Sequence, residues 1–199
     1  MKRLVLILVL QWALWCPAQT ALRLEWDSLP VFHSLEEALK QPEKVYRLHL
    51  TKLKFKSFPI EILQFKNLID LRLEKNKIDS IPNGIAELSQ LEFVDLSHNE
   101  IEDIPETFWQ LSRLRYINLA DNILSTLSPL VAQCSNLEEI VLYDNPLEEY
   151  PDQLSELPKL RVLDLLHNNI SYDTQDRLRE LLPQCKVIMS APCNCADGE

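Results

Sequence analysis

VDLSHNEIEDIP, residues 94–105, decides how this chain folds. Its first half alternates apolar and polar residues, as a half-buried strand does. An Asn follows where the chain must leave the strand, and the segment closes on Ile-Pro. LRLEKNKIDSIP, residues 71–82, has the same form 23 residues earlier. INLADNILSTLSP begins at Ile117 and IVLYDNPLEEYP at Ile140. The stretch is one turn of an internal repeat, and such periodicity governs the architecture before any local propensity does.

At a period of 23 the chain divides into six units, starting at Val45, Leu68, Leu91, Leu114, Leu137 and Leu160. Five of them, all but the first, follow L-x-x-[LIV]-x-L-x-x-N-x-[LI] without departure; the first carries Leu53 in place of the Asn. This pattern resembles the leucine-rich repeat family over residues 45–172. The resemblance implies an α/β fold, a curved solenoid or horseshoe with a parallel inner sheet and helical caps. Elementary physics points the same way. One 23-residue unit cannot bury its own apolar face, whereas stacked units bury it against one another. Six strands at about 4.8 Å spacing give a sheet some 25 Å wide.

Asn76, Asn99, Asn122, Asn145 and Asn168 form one column. Their amides can bond backbone groups that the turn leaves orphaned, so their role is structural. Phe65, Leu88, Leu111, Cys134 and Leu157 form an apolar column of the returning segments. Pro59, Pro82, Pro105 and Pro151 form another, with Pro129 displaced by one. Proline fixes φ and lacks an N–H, which suits a short extended or one-turn convex segment.

The ends of a solenoid need covers. Residues 19–44 supply the first: Ser34 and Glu37 have capping-box spacing, Leu35, Ala38 and Leu39 give an apolar face, and Trp26, Leu29 and Phe32 pack beside it. Residues 173–199 supply the second. DTQDRLRELLP reads as a helix with Leu178, Leu181 and Leu182 inward, stopped by Pro183, and KVIM (186–189) as a last short strand. Extracellular animal members of the family commonly have cysteine-rich caps, so a helical front cap sets this chain apart from receptor ectodomains.

Residues 1–18 read as a signal peptide: Lys2 and Arg3, an apolar run from Leu4 to Trp15, and small Ala18 at the cut. The run is too short to span a bilayer, so no stable membrane insertion is expected. The expected location is secreted, periplasmic or at the cell surface. Cys16 opens a lipoprotein reading, which bulky Trp15 opposes. Cleavage takes the net charge from −10 to −12, because the segment holds two bases and no acid. That balance argues against nucleic acid as the partner.

Catalytic chemistry finds little footing. Only Gly84 and Gly198 occur, so no glycine-rich phosphate loop can form. No HExxH or GxSxG is present, and His98 and His167 are three repeats apart. No cofactor or metal is expected. Cys134 falls in a core column as a free thiol, while Cys185, Cys193 and Cys195 allow a disulfide whose pairing the sequence leaves open.

On the family geometry, outward strand positions make a concave face. Phe93, Tyr116, Val141, Tyr143, Val162 and Leu166 place apolar side chains there, ringed by Asp95, Asp121, Glu139, Asp144 and Asp164. Arg47, Lys52, Arg72 and Lys75 make the first two units basic, a gradient able to orient a partner. The expected function is a monomeric, non-catalytic module binding a protein or peptide on this face. A self-associating surface component is the alternative, and an enzyme-associated subunit a more distant one.

Overall fold

The computed structural model describes residues 28–191. The signal segment, Trp26, Cys193 and Cys195 lie outside the described residues. From Val31 onward the chain builds a single open sheet of eight parallel strands, laid down in sequence order. The strands are β1 (Val31–Phe32), β2 (Arg47–His49), β3 (Asp70–Arg72), β4 (Phe93–Asp95), β5 (Tyr116–Asn118), β6 (Glu139–Val141), β7 (Val162–Leu165) and β8 (Lys186–Met189). From β2 to β7 the register steps by 23 residues per strand, so equivalent positions of successive units are direct neighbours. Six strands were expected from the repeats and a seventh from KVIM. The additional one, β1, spans two residues, too few for alternation to reveal.

Each unit returns along the outer face through a 3₁₀ turn: Ile60–Gln64, Asn83–Glu87, Glu106–Gln110, Pro129–Gln133 and Asp152–Glu156. Pro59, Pro82, Pro105 and Pro151 stand immediately before four of these turns. Pro129 instead occupies the first helical position, and the Ser128 hydroxyl before it accepts from Leu130 N–H. Proline's fixed φ starts the turn, and five residues then use i→i+3 bonds where the stacking distance leaves no room for a long helix.

Between sheet and turns lies one continuous core of columns such as Leu48-Leu71-Val94-Ile117-Ile140-Leu163 and Phe65-Leu88-Leu111-Cys134-Leu157. Cys134 is a buried free thiol whose Sγ donates to Trp109 O at 3.3 Å. Asn122 shows the ladder: Nδ2 donates to Leu96 O (3.1 Å), Leu119 O (2.9 Å) and Ala120 O (3.2 Å), and Oδ1 accepts from Ile101 N (3.0 Å). Each such Asn reaches back to the unit before it, and Leu53 has only the cap behind it.

At the front, α1 (Leu35–Leu39) has Ser34 as N-cap, its hydroxyl accepting from Glu37 N–H at 3.4 Å. Ala38 is buried and Leu35 packs on the core, but Leu39 is 37 % exposed. A five-residue helix makes barely more than one turn, too short to carry three apolar positions on one face. At the far end, α2 (Tyr172–Leu181) starts one residue earlier than read, because Ser171 caps it through Thr174 N–H at 3.2 Å. Leu178 and Leu182 are buried, and Leu181 packs against them.

Candidate functional site: the concave sheet face

The parallel register lays outward side chains in rows across the sheet. One row runs Arg47-Asp70-Phe93-Tyr116-Glu139-Val162-Lys186, and a second runs His49-Arg72-Asp95-Asn118-Val141-Asp164-Ile188. At the strand exits Ala120, Tyr143 and Leu166 follow one another, their carbonyls accepting from the residues one unit earlier (His98, Asp121 and Asp144).

Phe93 and Tyr116 face each other across β4 and β5, with ring centroids 6.3 Å apart and planes at 31°. The Arg115 guanidinium lies 5.9 Å from the Phe93 ring centre, within cation–π reach. Burial pushes the Tyr116 hydroxyl up to about 12, with the nearby Asp95 and Glu139 carboxylates adding to it. Tyr143 is also raised, by burial first and then by Asp121, Asp144, Asp95 and Asp164. Both phenols therefore stay protonated donors at neutral pH, set among carboxylates. Val162 sits between Glu139 and Lys186, and Leu166 stands beside Tyr143 at the exits. Val141 differs from expectation. At 8 % exposure, between Asn118 and Asp164, it is part of the floor and offers little surface to a partner.

The acidic residues have unequal duties. Asp95 Oδ1 accepts from Ser97 N (3.0 Å) and Ser97 Oγ (2.6 Å), and Asp164 Oδ1 from Leu166 N (3.1 Å). These Asx bonds turn the chain out of the strand, so the two carboxylates are partly committed to the backbone. Asp121 and Asp144 pair instead with His98 and His167 at the exits; the His167 Nδ1–Asp144 distance is 3.2 Å.

At the other end Arg47 and Arg72, expected to make the first units basic, converge on one carboxylate. Asp70, counted among the outward positions, is only 6 % exposed. Its carboxylate receives Arg47 Nε at 3.2 Å, Arg72 Nε at 3.1 Å and a contact from His49 Nε2 at 2.9 Å. Burial raises the Asp70 pKa, but the hydrogen bonds and charges of His49 and Arg72 outweigh it and bring it down to about 2. Two guanidiniums share this one carboxylate, so the cluster keeps a net positive charge, to which the lysines of the first units add. A depressed carboxyl pKa contributes stability that is complete above the unfolded value and is lost as pH falls through the folded one. Asp70→Asn is expected to cost about 2 kcal/mol at pH 7, with the gap between variant and wild type closing between pH 4 and pH 2 in urea melts.

One arrangement escaped sequence reasoning. Glu92, Arg115, Glu138 and Arg161 form an alternating ion ladder just before the strands, with Arg115 Nη1 3.7 Å from Glu92 and Arg115 Nη2 2.7 Å from Glu138. Its signal was present as charge alternation at the 23-residue step, in a position assigned neither to core nor to the concave face. Lys186 and Ile188 of β8 also extend the two rows beyond the six repeats. Among the described residues, no helix is long and apolar enough to cross a membrane, and no three His, Cys, Asp or Glu side chains come together to hold a metal ion.

A family model described as a leucine-rich repeat region matches residues 33–196. No curated protein matches the chain by sequence. Among solved structures, a leucine-rich repeat protein of Leptospira interrogans is 28 % identical over 75 % of this chain, with a TM-score of 0.63. Internalin C2 of Listeria monocytogenes is 25 % identical over 76 %, also at 0.63. The plant peptide hormone receptor RGFR1, solved in complex with RGF2, is 26 % identical over 71 %, at 0.61. The chain spans 44 %, 64 % and 24 % of the length of those three proteins. By the family model and by the eight-stranded solenoid alike, this chain belongs to the leucine-rich repeat family.

Proposed function

We propose that the chain is an exported, non-catalytic module that binds a protein or peptide on its concave face. The observation that carries this reading is the juxtaposition of Phe93 and Tyr116 on adjacent strands, with Tyr143, Leu166 and Val162 further along. None of these side chains belongs to the continuous core, and all are half-buried on the surface. Aromatic anchors with a polar rim are the usual makings of an interface hot spot. Carboxylates around the two phenols favour a partner that brings cationic groups to this end. That a family member is a peptide hormone receptor supports the same class of ligand. Export rests on the basic, apolar and small-residue order of residues 1–18.

Crosslinked capture from surface and extracellular fractions tests the proposal, with the wild type and a Phe93→Ala, Tyr116→Ala, Tyr143→Ala variant as baits. The expected result is one partner held by the wild type and bound about a hundredfold more weakly by the variant, whose unfolding curve remains cooperative. Equal capture by both baits would remove the concave face from consideration.

A further inference from the structure

The first two units carry five lysines on the loops that leave β2 and β3: Lys52, Lys54, Lys56, Lys75 and Lys77. All five are exposed, and none has a side-chain partner among the described residues. Elsewhere every described Lys and Arg except Lys186 is engaged, whether by a carboxylate, as Lys66 by Glu87, or by an amide, as Lys159 by Asn136. On a chain of net charge −10, the loop leaving β2 thus carries three bases and no acid, while Lys75 and Lys77 of the next loop stand between Glu74 and Asp79 without pairing to either.

The loops are also fixed in shape. Lys52 N donates to Glu74 O (3.2 Å) and Lys77 N to Phe55 O (2.8 Å), which sets the two loops side by side. Asn76 Oδ1 accepts from both Leu53 N (2.9 Å) and Phe55 N (3.2 Å). Lys52 and Lys75 have φ of 60°, in the left-handed region shared by the residue before every ladder Asn. Lys54, at φ 61°, is a second left-handed residue that no other loop has. Lysine is disfavoured there relative to glycine, yet it occupies all three positions. With this added twist Leu53 is 47 % exposed, whereas the ladder Asn residues are buried. The result is a rigid two-loop stripe of cations spaced at alternate residues along one loop and at about one strand separation between loops.

We infer that this stripe is a docking surface for a linear anionic polysaccharide. The class follows from what borders the stripe and from what it lacks. The next loop on the same edge carries Glu100, Glu102 and Asp103, which a flat anionic bilayer would meet and a single polymer strand would not. Nucleic acid is served by arginine forks and exposed aromatic platforms. The basic residues of these loops are all lysines, and their two aromatic residues, Phe55 and Phe58, lie against or within the core. Ammonium groups act as point charges with no fixed fork, which suits anionic groups that recur in varying orientation along a sugar chain.

The test uses the full chain, fluorescent dextran sulfate and neutral dextran, followed by anisotropy from 25 mM to 500 mM salt. Binding to dextran sulfate alone is expected, with log K falling against log salt at a slope of about −3.5 for five paired charges on a single polymer strand. A Lys52→Gly, Lys54→Gly, Lys75→Gly variant removes three charges at positions whose φ suits glycine, so it stays folded. It is expected to bind about thirtyfold more weakly at low salt. Glu100→Gln with Glu102→Gln is expected to bind more tightly. Absence of binding at 25 mM salt, undiminished binding by the glycine variant, or tighter binding to anionic vesicles or single-stranded DNA than to dextran sulfate would each overturn the assignment. The outcome is independent of the concave-face proposal, because Phe93, Tyr116 and Tyr143 are untouched.

Discussion

Trp109→Ala is expected to lower the unfolding free energy by about 3–5 kcal/mol, the largest loss from any single truncation in this chain. Trp109 is the largest fully buried side chain and lies in the outer turn of the third repeat. It packs edge-on against Phe108, with centroids 5.4 Å apart at 79°, and its carbonyl receives the Cys134 thiol. The cavity would open between two units, where neither can collapse without breaking register with the next. In a solenoid each unit leans only on its neighbours, so damage at the centre weakens coupling on both sides. The indole Nε1 is buried without a hydrogen-bond partner, so part of the ring's favourable burial is spent on that N–H. Trp109→Phe removes the unsatisfied donor along with some volume and is expected to cost well under half of the alanine loss. Equilibrium urea unfolding of both variants measures this. An alanine loss below about 1.5 kcal/mol would show that the outer turns contribute little to the core.

Asn122→Ala is the second large effect, expected at about 3 kcal/mol. Four backbone groups from two successive repeats each lose a bond at once: the carbonyls of Leu96, Leu119 and Ala120, which keep Asn99 Nδ2, Asn145 Nδ2 and His98 N–H as donors, and the N–H of Ile101, whose acceptor is removed. A buried N–H left unsatisfied in this way has no route to water. Asn168 provides the internal control. Its Nδ2 keeps the three ladder bonds, but its Oδ1 is buried with no partner, whereas in the three preceding rungs the N–H 21 residues earlier supplies one. Asn168→Ala is therefore expected to cost about 1 kcal/mol less than Asn122→Ala in the same denaturation assay. Equal losses at the two positions would mean that the Oδ1 bond adds nothing to the ladder.

The architecture was legible because a 23-residue period converts chain position into spatial position. Once Leu71, Val94, Ile117 and Ile140 are recognised as equivalent, parallel pairing and a shared core follow without further information. The same logic brought Phe93 beside Tyr116 and the Asn column into one ladder. What stayed hidden depends on groups that converge from several units or on elements too short to have a period. Asp70 reads as an outward strand residue, and only the arrival of Arg47, His49 and Arg72 around it explains its burial. Val141 sinks into the floor because its row neighbours, Asn118 and Asp164, leave it little height. The two-residue β1 offers no alternation to detect. Leu53 stands in the Asn column, and its exposure follows from a second left-handed residue that no residue pattern announces.

The central claim is that a partner is held by the aromatic side of the concave face. Site-specific photo-crosslinking measures it most directly. A benzophenone amino acid is placed at Tyr143, on the concave strand exits, and in a second protein at Glu102, on the exposed outer part of the third loop. Both are irradiated with surface and extracellular extract. The concave-face account predicts a discrete partner adduct from position 143, competed away by unlabelled wild type, and none from position 102. The same adduct from position 102 with none from position 143 would contradict it.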